Sequence, residues 1–380
     1  MNLELYLRPV DISAIKLSPW VQKKFSLAAL LEKNQEKLSL NKAKIALIGV
    51  GEDRNAVVKG SAAAPDEVRR QLYGLNRIAP RFKILDLGNI RQGKTANDTY
   101  FALKDVCEYL MQLGITVVVI GGSQDLTFGL TKAFDDRKFN LVNVDPKLDF
   151  RKGSKIIDSE NYLNFVFEKH SNLFSQTTLA YQNYFTDALE LDYVDGLRAD
   201  AKRLGQLRYN MGEIEPYMRH ADILSFDLNA VRVTDAPGQY FASPNGLYAE
   251  EACQVAHYAG MADQLKIAGF FNFIPELDPS GTSSKLMAQM IWHFLEGYYF
   301  KVVEHPDNKS DDFDEFIIEM DDVDLPLIFY QSRKTGRWWM KIIDENKGAE
   351  CIIPCTQDDY ELAARYEIPD RWWRNIRKMN

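Results

Sequence analysis

The stretch "NVDPKLDF" (residues 143–150) follows the apolar pair Leu141 and Val142, and its reading decides the fold. A short apolar run that stops in clustered charges is the pattern of a buried strand at its carboxyl end, where open α/β sheets bind ligands. Two other segments have the same form: "GGSQD" (121–125) after "ITVVVI", and "SFDLN" (225–229) after "DIL". Side chains alternate in extended backbone, so Asp145, Lys147 and Asp149 are expected on one side, as are Ser225, Asp227 and Asn229. One such cluster is an ordinary turn or helix cap. Three of them point to a single crevice.

Outward from these segments, residues 44–300 alternate short apolar runs with helical ones, which predicts an α/β fold: three layers, α-β-α, around a mostly parallel sheet. Strands are expected at 44–50, 83–88, 115–122, 141–145, 177–182, 222–228 and 266–274. A helix is expected over 97–113, ending at Gly114, and another from Ser283 or Ser284, with Leu286, Met287, Met290, Ile291, Phe294 and Leu295 on its core face. Residues 1–41 read as an N-terminal extension and 42–300 as the main domain. Residues 301–380 read as an acidic linker and a small β-rich C-terminal module. Residues 305–324 carry nine acidic side chains against Lys309 alone, which predicts a solvated loop. After them, "LPLIFYQSRKTGRWWMKII" predicts a hairpin turning near Thr335 and Gly336. Trp338, Trp339, Trp372 and Trp373 either pack the module onto the main domain or offer a contact surface to a protein partner.

Composition narrows the function. A net charge of -8 provides no basic field for nucleic acid or an anionic membrane. The N-terminal segment interrupts its apolar residues with Glu4, Arg8 and Asp11, and no apolar run is long enough to span a bilayer, so a cytoplasmic protein is expected. The four cysteines (Cys107, Cys253, Cys351, Cys355) are read as thiols, not as a disulfide framework or a zinc site.

In order along the chain, "GGSQD", "DPKLD", "SFDLN", "APGQYFASPNGLYAEE" and "NFIPELDPSGTSSKLMAQMI" resemble the motifs of the ureohydrolases, the family of arginase, agmatinase and formimidoylglutamase. Upstream, "IALIGVGEDRNAVVKGSAAAPDEVRRQL" is similar to that family's first strand, loop and helix start. The resemblance spans roughly residues 42–300 and implies an arginase-like fold, a homo-oligomer, and a C–N hydrolase of linear amidines using two manganese ions held by two histidines and four aspartates.

Carried over by position, the resemblance places Asp145, Asp149 and Asp227 at metal-ligand positions. Gln124 and Lys147 stand where histidines are expected, Asn229 stands for the last aspartate, and Asn272 for a substrate-contacting glutamate. None of the five histidines (His170, His220, His257, His293, His305) falls in these motifs, and each is read as a surface or satisfied core residue. An ammonium has no lone pair for a metal, so Lys147 is expected to fill the second metal position itself, paired to Asp145 and Asp227. Asp145, Lys147, Asp149 and Asp227 then form a buried ion-pair network that keeps the crevice neutral without metal, or Gln124, Asp145, Asp149 and Asp227 hold one hard cation, magnesium, manganese or calcium.

Three readings follow: a family member with a degraded site that binds a small molecule or serves in an assembly; a working metal-dependent hydrolase of amidine or guanidine C–N bonds, with two manganese ions if the pair is kept; and a scaffold whose C-terminal module does the binding.

Overall fold

The structure, a computed structural model, describes residues 1–10, 23–33, 39–78, 83–151, 153–197, 199–306, 311–320, 325–344 and 348–379. Among them, ten strands form the main sheet: β1 (Leu7–Arg8), β2 (Glu32–Lys33), β3 (Ala43–Val50), β4 (Lys83–Ile90), β5 (Thr116–Gly121), β6 (Phe139–Val144), β7 (Leu173–Tyr181), β8 (Asp200–Arg203), β9 (Ile223–Asp227) and β10 (Ile267–Phe271). Their order is β1-β4-β3-β5-β10-β9-β6-β7-β8, with β2 also on β4, and every pairing is parallel except β1 with β4.

Each strand expected from the apolar runs is present. β1 and β2, at two residues each, carry too little pattern to be read. β8 ("DAKR") is polar enough to resemble a loop.

The helices are α1 (Ala64–Leu72), α2 (Ala96–Gln112), α3 (Leu126–Thr131), α4 (Tyr162–Lys169), α5 (Ala188–Gly196), α6 (Leu204–Tyr209), α7 (Ile214–His220), α8 (Ala249–Met261) and α9 (Thr282–Phe300). α2 begins at a reciprocal Thr95–Asp98 capping box and stops before Gly114 at φ 71°, a left-handed position that glycine tolerates. Alternate residues of β5 explain the three layers. Val118 and Ile120 join one apolar cluster with Val68 and Leu72 of α1, Ala256 of α8 and Phe294 of α9. Val117 and Val119 join another with Leu103 of α2, Leu130 of α3 and Val166 of α4.

A buried ion pair fixes α1 on the sheet. Arg69, fully buried, donates from Nε to Asp86 Oδ2 (2.9 Å) and from Nη2 to Asp86 Oδ1 (3.0 Å) and Gly88 O (3.0 Å). The Tyr73 hydroxyl also donates to Asp86 Oδ2, at 2.8 Å.

The C-terminal module is a four-stranded antiparallel sheet in sequence order: β11 (Phe313–Ile318), β12 (Leu327–Ser332), β13 (Trp338–Asp344) and β14 (Ala349–Cys355). It is followed by α10 (Gln357–Ala364) and α11 (Asp370–Met379). The hairpin turns where expected. The acidic stretch is corrected in part: Phe316 and Ile318 pack on the module's core while Glu315 and Ile317 face outward, so Phe313–Ile318 is an edge strand, and 307–310 and 321–324 lie outside the described residues. Trp338 stacks on Tyr360 at 4.7 Å, Trp339 is buried, and Trp373 stays 49% exposed.

The module sits on the main domain through ion pairs. Arg371 reaches Glu213 Oε2 (3.1 Å), Arg374 reaches Asp200 Oδ1 (3.0 Å), and Lys378 also pairs with Asp200. Arg219 of α7 donates to Trp338 O (3.0 Å) and lies 4.2 Å from the centre of the Trp339 ring. His220 is caught in this junction: burial, then the charges of Lys378, Arg371 and Arg219, push its imidazole down to about 3, with Asp200 opposing.

Two outcomes follow. Arg69→Met leaves Asp86 buried without its partner and is expected to cost about 3–5 kcal/mol in urea unfolding. His220 has a folded-state pKa below its unfolded value of about 6.5, so the unfolded chain takes the proton first and stability is lost as pH falls from about 6.5 toward 3. The melting temperature should therefore drop between pH 7 and 5, and His220→Gln should flatten that drop; equal slopes would show that another group controls it.

Candidate metal and ligand site

The carboxyl ends of β5, β6, β9 and β10, adjacent in the sheet, deliver the crevice. After β5 the chain turns sharply at Gly121 (φ 128°) and Gly122 (φ 33°), where a Cβ on Gly122 would lie 2.2 Å from Glu52 O. The turn is held by the Ser123 N–H on Glu52 O (3.0 Å) and sets Gln124 into the crevice. Gln124 N–H donates to Asn272 Oδ1 (3.1 Å), Asn272 Nδ2 to Gln124 Oε1 (3.4 Å), and Gln124 Nε2 to Ser225 Oγ (3.4 Å). Asn272 occupies a left-handed φ of 62° just after β10.

Asp145, Asp149 and Asp227 are 2%, 4% and 4% exposed. The Lys147 backbone N–H donates to Asp145 Oδ1 at 2.8 Å, but Oδ2 of Asp145 and Oδ2 of Asp149 have no hydrogen-bond partner. Asp227 caps a short 3-10 turn, Leu228–Ala230, and its Oδ1 accepts Asn229 N–H and Asn229 Nδ2, both at 2.8 Å. Burial raises all three carboxyls. Asp145 is raised further by the charge of Asp227, and Asp149 by the charges of Asp145 and Asp227; Asp227 reaches about 6.

The structure thus brings Gln124, Asp145, Asp149, Asp227, Asn229 and Asn272 together, and corrects the reading of Lys147. Its ammonium does not pair with Asp145 or Asp227. It pairs with Glu160 Oε1 at 2.7 Å and lies 3.8 Å from the centre of the Phe241 ring. Glu160 also accepts the Tyr240 hydroxyl (2.9 Å) and Arg151 Nη2 (3.2 Å). Burial alone would raise the Glu160 carboxyl, but the Lys147 hydrogen bond and charge hold it below the usual range.

The physical reason is local. β6 ends at Val144, and the chain after Pro146 is no longer extended: Asp149 adopts φ 54°, so alternation fails within five residues. The Lys147 charge therefore acts on Asp227 only from beyond ion-pair distance, and no ion pair reaches the three carboxylates among the described residues.

Asn229 presents its amide to Asp227 as a donor. Its Oδ1 is taken by the Phe241 N–H (3.1 Å), which fixes the amide orientation and points Nδ2 at Asp227. Sequence reasoning missed Glu160, Tyr240 and Phe241 as the holders of Lys147. Tyr240 and Phe241 lie inside the quoted "APGQYFASPNGLYAEE", but nothing in one sequence brings Glu160 to them.

Beside this ammonium, Phe241 packs on Phe185 at 4.7 Å. Phe185 lines a cavity of about 1010 Å³ with Arg151, Tyr184, Leu189, Glu190 and Tyr193.

The chain's similarities agree with this architecture. The profile of the arginase family matches residues 43–296. Formimidoylglutamase of Citrobacter koseri is 24% identical over 280 residues, 67% of this chain and 86% of that protein. Formimidoylglutamase of Photorhabdus laumondii is 22% identical over 273 residues, with the same coverage of 67% and 86%. Among solved structures, Trypanosoma cruzi formiminoglutamase with Mn2+ superposes with a TM-score of 0.67 at 21% identity, over 73% of this chain and 99% of that one. Bacillus subtilis formimidoylglutamase gives 0.67 at 17% identity, over 79% and 99%. No helix among the described residues is long and apolar enough to cross a membrane.

A buried carboxylate without a cationic partner makes a direct test. Asp145→Asn replaces an uncompensated acid with a neutral amide and should leave the chelator-treated protein as stable or more stable at pH 8, by about 1–3 kcal/mol in urea unfolding. A loss of stability would mean that an internal cation does pair with Asp145.

Proposed function

The chain belongs to the arginase family, and on that premise we propose that it is a formimidoylglutamase-like ureohydrolase-fold protein that holds one divalent cation and binds a small molecule, with two-metal hydrolysis impaired. The observation that carries this reading is the unequal supply of free oxygens. Gln124, Asp145, Asp149 and Asp227 would hold the cation, and two of their buried oxygens, Asp145 Oδ2 and Asp149 Oδ2, accept from no donor, their carboxyls facing each other so that only a shared proton would bond them. All-oxygen donors of this kind suit magnesium, manganese or calcium.

At the second position Asn229 offers N–H groups and the Lys147 ammonium has turned to Glu160, leaving only Asp145 and Asp227 as donors. When bound, a single cation polarises a ligand oxygen or acidifies a water. It does not clamp attacking and leaving atoms together as a pair of ions does.

The chain's own groups do the rest. Without the cation, burial holds Asp145 and Asp149 toward the protonated form, so a proton kept in the crevice would leave as the cation binds. Lys147 is held by Glu160 and Phe241 behind the wall of the 1010 Å³ cavity, and the cation that lines that cavity is Arg151, where an anionic or polar group of a ligand would meet it. Asn272 has no charge with which to hold a cationic guanidinium, so a cationic substrate is disfavoured. A homo-oligomer and a soluble, cytoplasmic setting belong to this same reading.

Elemental analysis of manganese-loaded protein should find one equivalent that Asp149→Asn removes, with no turnover of formimidoylglutamate, agmatine or arginine. Two such equivalents with turnover would establish the working hydrolase instead. The combined variant Gln124→His, Lys147→His and Asn229→Asp should gain a second equivalent.

A further inference from the structure

α8 and α9 pack backbone to backbone. A Cβ at Gly260 would lie 2.1 Å from Phe294 O, and one at Gly297 would lie 2.2 Å from His257 O, so only glycine at both positions permits the approach. This contact brings His257 of α8 against His293 and Glu296 of α9, the latter two one turn apart on the same face. Nδ1 of His257 lies 3.5 Å and Nδ1 of His293 lies 3.4 Å from the same oxygen, Glu296 Oε2. All three ligand atoms lie within 4.8 Å of one another.

These separations are long for charged hydrogen bonds, which fall at about 2.7–2.9 Å. They match the edge of a ligand tetrahedron around zinc, since ligands about 2.0–2.1 Å from the metal stand about 3.3–3.4 Å apart. The His293 ring is also held in place: it packs edge-on against Trp292 at 5.2 Å, whose indole N–H is fixed on Asn76 O at 2.7 Å. The cluster opens onto a groove of about 840 Å³ that includes Cys253, Gln254, Tyr258 and Gln289.

We infer that His257, His293 and Glu296 form a second metal site, specific for a zinc-class ion, that clips α8 to α9 and keeps its fourth coordination position open to the groove for water or an anionic ligand. Two imidazoles and one carboxylate select borderline metals such as zinc, whereas the crevice at Asp145 offers only oxygen donors. The two sites therefore differ in metal as well as in place. The ligands project from helices whose backbones already touch, so the placement of the two helices is set before the metal arrives and the side chains close on it.

The full chain, stripped with chelator, should bind one equivalent of zinc by calorimetry, and cobalt in its place should give the visible bands of a tetrahedral or five-coordinate ion. His257→Ala and Glu296→Gln should each weaken zinc by more than the roughly 10–100-fold that loss of a supporting residue costs. His293→Gln, at the more exposed ligand, provides the same reading should either of those variants fail to fold. Asp149→Asn should leave zinc affinity and the cobalt bands unchanged. The inference is overturned if no stoichiometric zinc binds, if binding is indifferent to all three ligand variants, or if Asp149→Asn abolishes it.

Discussion

Three carboxylates withdrawn from water, with no cation of the protein's own paired to them among the described residues, are the constraint on which the crevice depends. Desolvation penalises each charge, and each charge penalises its neighbours, so the free site favours protons on Asp145 and Asp149. Such an arrangement is costly to a folded chain, and it persists here because four parallel strands end at one place. The same burial that raises the carboxyls leaves two of their oxygens without partners, which is the state a hard cation relieves.

The fold was readable because its cause is local. Apolar runs such as Thr116–Gly121 and Ile267–Phe271 have both faces covered by helices, and near-continuous hydrophobicity in a short segment is the mark of a parallel strand. The residues that meet in the crevice were readable by their order along the chain. The direction of the Lys147 side chain was not, since it depends on Asp149 adopting a left-handed backbone after a proline and on a carboxylate thirteen residues onward. Helix α10 did carry a local signal, Thr356 with Asp359 as a capping box, that the acidic and aromatic character of the tail obscured. The grouping of His257 with His293 needs two helices in contact, and no spacing along one chain reports that contact.

The crevice and the α8–α9 cluster show how donor chemistry follows secondary structure. Strand ends and tight turns gather carboxylates and amides, whose oxygens suit hard ions. Helix faces repeat every three or four residues and place imidazole and carboxylate one turn apart, which suits softer, lower-coordinate ions. The two proposed sites would then not compete for the same element.

Asp200, at the start of β8, takes both Arg374 and Lys378 of α11, and Lys202 of the same strand lies 3.7 Å from Asp370. β8 is the last strand of the large sheet and only four residues long. An open terminal strand is a template on which another chain can add its own. With that border short, charged and tethered to the final helix, lateral growth of the sheet is blocked there, and copies that meet must do so through other faces.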